Sequence, residues 1–95
     1  MHEIVTADAP ASIGPFSQGI RDGDRIHVSG QGPVDPDTGE IVEGDIETQT
    51  ARTLENIAAI LDAAGATLEH VIEATVFLTD MDTYDAVNDV YGEYM

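Results

Sequence analysis

Two polar side chains on one short apolar segment are the first candidates for chemistry. His27 and Ser29 lie two residues apart, so on a strand both point from the same face. A histidine base beside a serine nucleophile is the pattern of a hydrolytic dyad. Neighbouring side chains on one strand face diverge, however, and no third residue is placed to orient the imidazole. The spacing therefore disfavours a serine hydrolase of this kind.

The backbone that follows offers a different chemistry, the binding of a small anionic ligand. Ser29 and Gly30 open the run Ser-Gly-Gln-Gly, in which the missing side chains let main-chain N–H groups approach a ligand closely. The end of a strand explains the same glycines equally well. Because the run lacks the third glycine of a dinucleotide fingerprint and the Gly-Lys-Ser/Thr of a phosphate-binding loop, no nucleotide cofactor is predicted.

Metal chemistry is disfavoured by spacing. The three histidines, His2, His27 and His70, are far apart, and none has a second ligand at the spacing typical of zinc sites. The segment 35–39, Asp-Pro-Asp-Thr-Gly, is similar to the start of a calcium loop. Ile46 stands at the twelfth position, however, where such a loop requires a bidentate glutamate. We predict a proline-nucleated turn there and no metal.

Short strands are the first elements expected to position these residues. Residues 4–5 are a candidate edge strand, and the segments 17–21 and 25–29 flank Asp22-Gly23, which is a strong signal for a β-hairpin. Apolar and polar residues alternate in the second of these segments, which predicts one buried face.

The hydrophobic period changes after residue 44 and becomes helical. A helix is predicted over 45–64, with Asp45 as its N-cap and Gly65 at its end. The expected buried stripe comprises four residues at helical spacing, Leu54, Ile57, Ala58 and Leu61.

A strand and a second helix are predicted after this first helix. The β-branched run 71–78 predicts the strand, and Asp80 or Asp82 is expected to cap the helix. Asn88 on this helix is either a solvated polar residue or a ligand contact. Apolar and aromatic residues recur there at helical spacing, which predicts packing through Tyr84, Val87, Tyr91 and Tyr94 or Met95. The order of elements predicts an α+β or α/β domain.

Composition limits the class of protein. The chain has 95 residues without cysteine, which fits one domain and excludes disulfide and thiolate chemistry. Neither a signal peptide nor a bilayer-spanning run is evident, so we expect a soluble, cytoplasmic protein. Nineteen acidic residues oppose three arginines, for a net charge of -16, which disfavours nucleic-acid and membrane partners.

Two interpretations of this acidity compete. One is a mimic of nucleic acid or an acidic disordered segment, and the other is adaptation to high salt. The acids are spread from Glu3 to Glu93 between regular apolar positions, and lysine is absent. This distribution favours a halophilic protein.

Several ordered blocks together resemble the RidA/YjgF family over essentially the whole chain. The similarity lies in the segments 9–19, 26–33 and 49–91, which include Gly-Pro-Phe-Ser-Gln-Gly, Val-Ser-Gly-Gln-Gly-Pro and Ala-Thr-Val-Phe-Leu-Thr-Asp. The resemblance implies a chorismate-mutase-like α+β fold, with a mixed sheet and two helices on one face. It also implies a homotrimer with ligand pockets between subunits.

The activity implied by this resemblance is hydrolytic deamination. Well-studied family members convert 2-imino acids and their enamine tautomers, of the 2-aminoacrylate type, to 2-oxo acids and ammonia without cofactor or metal. The small-molecule partner implied is therefore a 2-imino or 2-oxo acid. A non-catalytic ligand-binding or regulatory trimer is the alternative, because some members lack the family's arginine.

Site residues follow from the resemblance position by position. Ser29 and Gly30 match the pocket edge, and Asn88 and Tyr91 match the part of the second helix near the pocket. Phe16 stands where many members have tyrosine, which leaves an aromatic wall without the hydroxyl. The carboxylate-anchoring arginine and a late glutamate of the family lie beyond Met95, so we expect a single domain over 1–95 whose C-terminal part is missing. Arg21, Arg25 and Arg52 match neither and are expected to pair with surface acids.

Overall fold

The structure, a computed structural model, describes residues 1–12, 14 and 16–95. This part of the chain contains three antiparallel strands and two helices. The strands are β1 (His2–Ile4), β2 (Gly19–Asp22) and β3 (Arg25–Val28), in the order β1-β2-β3. The helices are α1 (Ile46–Ala63) and α2 (Tyr84–Tyr94), with short 3-10 turns at Leu68–His70 and Met81–Thr83. The α+β class with two helices beside a sheet is confirmed.

The hairpin forms as predicted, with its turn one residue further along. Asp22 pairs with Arg25, so the two central residues of the turn are Gly23 and Asp24, not Asp22 and Gly23. Gly23 has a φ of 63°, the positive value that a type II′ turn requires at its first central residue. The first strand also begins earlier than predicted, because Ile4 pairs with Gly19 and His2 with Arg21.

The core lies between this sheet and α1. Ile4, Ala9 and Ile60 are buried together, and Ile26 and Val28 of β3 pack against them, as the alternation in that segment predicts. Gly19 permits the close approach of helix and sheet, because a Cβ there would lie 3.1 Å from both the His27 carbonyl oxygen and Ile60 Cγ2.

Local signals at both ends of α1 are confirmed. The Asp45 carboxylate accepts a hydrogen bond of 2.8 Å from the Thr48 N–H, and this contact lowers the pKa of Asp45. Gly65 follows the helix with a φ of 79°, and its N–H donates to the Asp62 carbonyl.

The buried face of α1 differs in part from the predicted stripe. Leu54 and Leu61 are buried, whereas Ile57 and Ala58 are half-buried. The two most deeply buried side chains, Ile60 and Asn56, were not part of the prediction. The stripe is therefore rotated toward Ile60, because the helix packs against the sheet on one side and against α2 on another.

The prediction that Asp80 or Asp82 caps the second helix is wrong, because the N-cap residue of α2 is Thr83 and its side chain makes no capping hydrogen bond. Asp80 accepts a hydrogen bond of 2.9 Å from the Asp82 N–H and caps the 3-10 turn that leads into α2. Val87 and Val90 are the buried residues of α2, whereas Tyr84 is 48% exposed. Tyr84 was expected to pack against the rest of the chain, but about half of it is exposed, and α2 buries its two valines instead.

The predicted strand over 71–78 is not a strand in the structure. Its backbone pairs with no strand among the described residues, which is why the described sheet is wholly antiparallel and not mixed. Ile72 and Phe77 are 95% and 91% exposed. The β-branched composition predicted a strand here, and that prediction is wrong for the described chain, because a strand requires a hydrogen-bonding partner that composition cannot supply.

The acidic residues form the outer surface. All 19 are exposed except Asp35, which is half-buried, and Arg52–Glu55 is the one ion pair within the described residues. Like charges therefore face each other across the surface with few cations between them, and this repulsion opposes folding at low ionic strength.

We expect added salt to raise the melting temperature. Molar KCl shortens the Debye length to about 3 Å and so screens the repulsion among surface carboxylates. Thermal melts followed by circular dichroism in low and molar KCl measure the effect. A melting temperature that stays constant or falls with KCl would contradict the proposed adaptation to salt.

No helix of the described chain is long and apolar enough to cross a membrane.

Candidate functional site

A concavity beside α2 brings together two of the predicted site residues. Its volume is about 290 Å³, and Asn88 and Tyr91 contribute its polar groups together with Tyr84. The remaining lining is apolar and comes from the segment before the helix and from the helix itself: Ala74, Val76, Leu78, Met81 and Val87. A small, mostly apolar pocket with a few polar groups is typical of a site for a small molecule.

Asn88 and Tyr91 occupy this wall because of the spacing of α2. They lie three residues apart, so they share one face of the helix. Buried Val87 and Val90 hold the neighbouring face against α1. Asn88 is exposed and Tyr91 half-buried, which leaves the amide and the phenol open to a ligand.

Ser29 and Gly30 lie at the end of β3, as predicted. The Ser29 hydroxyl donates a hydrogen bond of 2.6 Å to the Ser17 carbonyl, and its N–H donates to the Gln18 carbonyl at 3.0 Å. The Ser29 side chain is thus engaged by the backbone and is not poised as a nucleophile.

Three consecutive backbone N–H groups follow Ser29. Among the described residues, no acceptor is assigned to the N–H of Gly30, Gln31 or Gly32. No atom lies within 4 Å of the position a Cβ would take at Gly30 or Gly32. This stretch offers donors without an assigned acceptor and room beside the two glycines, which are properties that an anion-binding backbone requires.

Phe16 lies in a different place. Its ring is 72% exposed and lines a second concavity of about 190 Å³, together with Val5, Thr6 and Ser17. The structure therefore does not place Phe16 in the concavity that holds Asn88. Neither concavity is lined by Ser29 or Gly30.

Gln18 is a structural residue that the sequence did not single out. Its side chain is 4% exposed, and Oε1 accepts from the Thr6 N–H at 2.7 Å. Nε2 donates to the carbonyls of Thr6, Ala9 and Pro10 at 3.0, 3.2 and 2.8 Å. This amide fixes the loop 6–10 beside β2. Gln18 stands between Ser17 and Gly19, so no alternation of apolar and polar residues around it predicts that its side chain is buried.

The arginines are used differently from expectation. Arg21 donates to the Ala64 carbonyl at the end of α1 and not to an acid. Arg52 pairs with Glu55, as expected, but its guanidinium also donates to the buried Asn56.

The proline-containing segment 35–39 forms a turn, as predicted. Asp35 accepts at Oδ1 from the Asp37 N–H at 2.7 Å, and its carbonyl accepts from the Gly39 N–H at 2.8 Å. Within the part of the chain that is described, no group of three or more His, Cys, Asp or Glu side chains could hold a metal ion.

Tyr94 links the end of α2 to α1. Its hydroxyl donates to Glu55 Oε1 at 3.1 Å. Partial burial raises the pKa of Tyr94, and the hydrogen bond to the Glu55 carboxylate raises it further.

This contact predicts an alkaline loss of stability. Because the folded-state pKa of Tyr94 lies above its unfolded value, the stabilisation is complete below about pH 10 and disappears as pH rises through the folded pKa. The absorbance of tyrosinate is measured against pH for the wild-type protein and for Tyr94→Phe, and the difference between the two curves gives the titration of Tyr94. Glu55→Gln should lower the midpoint, and a wild-type midpoint at the ordinary tyrosine value would contradict the contact.

Comparisons with known proteins place the chain in a family. The sequence model described as Endoribonuclease L-PSP matches residues 6–95. A RutC family protein of Pyrococcus abyssi is 54% identical over 91 residues, which are 96% of this chain and 72% of that protein. A 2-iminobutanoate/2-iminopropanoate deaminase of Capra hircus is 45% identical over 91 residues, or 96% of this chain and 66% of that protein.

Solved structures agree with these relationships. The crystal structure of E. coli TdcF with bound serine has a TM-score of 0.94 and 41% sequence identity, and the match covers 99% of this chain and 73% of that one. The chain therefore belongs to the RidA/YjgF family.

Proposed function

We propose that this chain hydrolyses 2-imino acids and their enamine tautomers to 2-oxo acids and ammonia. The observation that carries the proposal is 45% identity over 96% of the chain to a protein named for 2-iminobutanoate and 2-iminopropanoate deamination. The small concavity with Asn88 and Tyr91 and the free N–H groups after Ser29 support it, since they suit a small carboxylic acid.

The reaction needs no covalent nucleophile from the protein. An iminium carbon is already electrophilic, so a water oxygen adds to it as the water gives up a proton. The nitrogen of the resulting carbinolamine takes up a proton, and the C–N bond breaks as the hydroxyl gives up its proton to become the carbonyl, which yields ammonia and the 2-oxo acid. The protein needs to bind the carboxylate, orient the water and move these protons.

We assign these tasks by the chemistry of the groups. The backbone N–H groups of Gly30 to Gly32 can donate hydrogen bonds to the substrate carboxylate, because no acceptor is assigned to them among the described residues. The Asn88 amide and the Tyr91 hydroxyl can orient water or the substrate nitrogen. No side chain among them is a covalent nucleophile, which fits direct attack by water.

The site is further proposed to be completed in a homotrimer. The free N–H groups of 30–32 do not line the concavity that holds Asn88, so we propose that a site using both is formed where two subunits meet. Light scattering at molar salt should then give three times the chain mass. A stable monomer would remove the proposal that subunits share the site.

The activity is tested with an imine generated in situ. An amino-acid oxidase or a pyridoxal-phosphate enzyme supplies 2-iminopropanoate, and release of ammonia and 2-oxo acid is measured above background at high salt. Asn88→Ala should reduce the added rate, whereas Asp89→Ala, on the same helix and exposed, should not. No rate above background for the wild-type protein would refute the enzymatic proposal.

A binding protein without catalysis is the second candidate. Phe16 replaces the tyrosine common in the family, and the arginines of this chain are engaged elsewhere or lie outside both concavities. Tight binding of a 2-oxo acid without imine hydrolysis would favour this candidate.

A further inference from the structure

Asn56 is the most deeply buried polar side chain of the molecule. Its exposure is 0%, although it lies in the middle of α1. An unpaired amide at such a site would be strongly destabilising, so its partners reveal its role. The Asn56 Nδ2 donates to the Gly32 carbonyl at 3.2 Å and to the Val34 carbonyl at 2.8 Å. It thus holds the loop that continues from Ser29 and Gly30.

Arg52 and the two loop carbonyls together determine which way this amide points. The Asn56 Oδ1 accepts from Arg52 Nε at 3.1 Å and from Nη2 at 2.8 Å. A guanidinium can only donate and a carbonyl can only accept. A flipped amide would therefore place its NH₂ against two donors and its oxygen against two carbonyls. The guanidinium therefore adds to the preference for the orientation in which the Asn56 amide donates to the loop, and it holds the amide oxygen in place.

The same network reaches the second half of the candidate site. Arg52 Nη1 lies 3.3 Å from Glu55 Oε2, and Glu55 accepts the hydroxyl of Tyr94 at the end of α2. That helix carries Asn88 and Tyr91. One set of hydrogen bonds therefore connects the loop after β3, α1 and α2.

We infer that Asn56, oriented by Arg52, is a positioning residue that sets the backbone of residues 30–34 for ligand binding. The inference rests on the proposed function for the identity of the ligand, a small 2-oxo or 2-imino acid. Asn56 binds acceptors of the loop and not its donors. It donates to the carbonyls of Gly32 and Val34, and the N–H groups of Gly30 to Gly32 stay available for the carboxylate.

The test removes the orienting group and not the amide. Arg52→Met keeps an unbranched side chain with good helix propensity but no donor. Arg25→Met makes the same change at an exposed position in β3 and is the matched control. Arg52→Lys restores the charge without the two-nitrogen grip. The readouts are the dissociation constant for 2-oxobutanoate and amide hydrogen exchange.

Loosening of the loop should be visible in both readouts. In Arg52→Met we expect the dissociation constant to rise about tenfold to a hundredfold, since small displacements of a binding group have effects of this size. The Val34 and Val42 N–H groups, which donate to the Gly32 and Pro33 carbonyls, should exchange faster. Arg25→Met should match wild type, and Arg52→Lys should lie between the two.

Kinetics separate positioning from a general loss of structure. The KM for the imine should rise with the dissociation constant while kcat stays within about twofold, because the loop binds the carboxylate that is unchanged during reaction. If Arg52→Met does not fold, Arg52→Lys serves in its place and should show the same direction of change.

The outcomes distinguish this inference from the proposed function. Wild-type protein that binds 2-oxobutanoate but does not hydrolyse imine refutes the enzymatic proposal alone. Unchanged affinity and unchanged exchange in the Arg52 variants overturn the inference alone. A wild-type protein that does not bind the 2-oxo acid overturns both.

Discussion

Gly30→Val is expected to abolish 2-oxo acid binding while leaving the fold intact. The Gly30 φ is not positive and no atom lies within 4 Å of its would-be Cβ, so a valine can be accommodated within the chain. We expect its branched side chain to crowd the approach to the N–H groups of Gly30 to Gly32, where we propose that the carboxylate binds. We expect a loss of affinity of about a hundredfold or more, since the side chain would keep the carboxylate away from the N–H donors, which themselves remain.

Calorimetric titration with 2-oxobutanoate measures this loss, and circular dichroism verifies the fold. Gly23→Val is unsuitable as a control, because Gly23 requires a φ of 63°. Gly92→Val is better, since Gly92 is exposed on α2, its would-be Cβ meets no atom outside its own helical surroundings within 4 Å, and valine is no poorer a helix former than glycine. Unchanged affinity in Gly30→Val would remove Ser29 and Gly30 from the site.

Ile60→Ala should have the largest effect on stability. Ile60 is 0% exposed and lies in the core with Ile4 and Ala9, so truncation loses apolar burial and leaves a cavity beneath the sheet. Substitutions of this kind cost about 2–5 kcal/mol, against a total stability of about 5–15 kcal/mol for small domains.

Urea unfolding at high salt measures the difference. Ile41→Ala removes the same atoms from a side chain that is 65% exposed, and we expect a cost of about 0.5 kcal/mol or less. Equal losses for the two variants would mean that α1 does not pack on the sheet in solution as described.

Elements whose hydrogen bonds join residues close together in the sequence could be predicted from the sequence. Helix α1 was predicted with both ends, because Asp45 and Gly65 act on hydrogen bonds within a few residues. The hairpin was also predicted, and only its turn was displaced by one residue. The register of Asp22 with Arg25 decides that detail, and it depends on which strand face meets α1.

Non-local features escaped prediction for a physical reason. The run 71–78 has the composition of a strand, yet pairing requires backbone from another segment. Asn56 is polar and was not expected in the core, because its burial depends on carbonyls 22 and 24 residues away. The site residues show the same contrast. Helical spacing, which is local, places Asn88 and Tyr91 on one face, whereas the place of Phe16 depends on the fold of the loop around it.

The amide of Gln18 also determines how the N-terminal end of the chain opens. Terminal residues usually fray singly and are early targets of proteases. Here Thr6, Ala9 and Pro10 share one buried side chain, so the loop cannot detach without Gln18 losing four hydrogen bonds together. Residues 1–10 should therefore open as one cooperative unit, and cleavage there should follow the free energy of that joint opening.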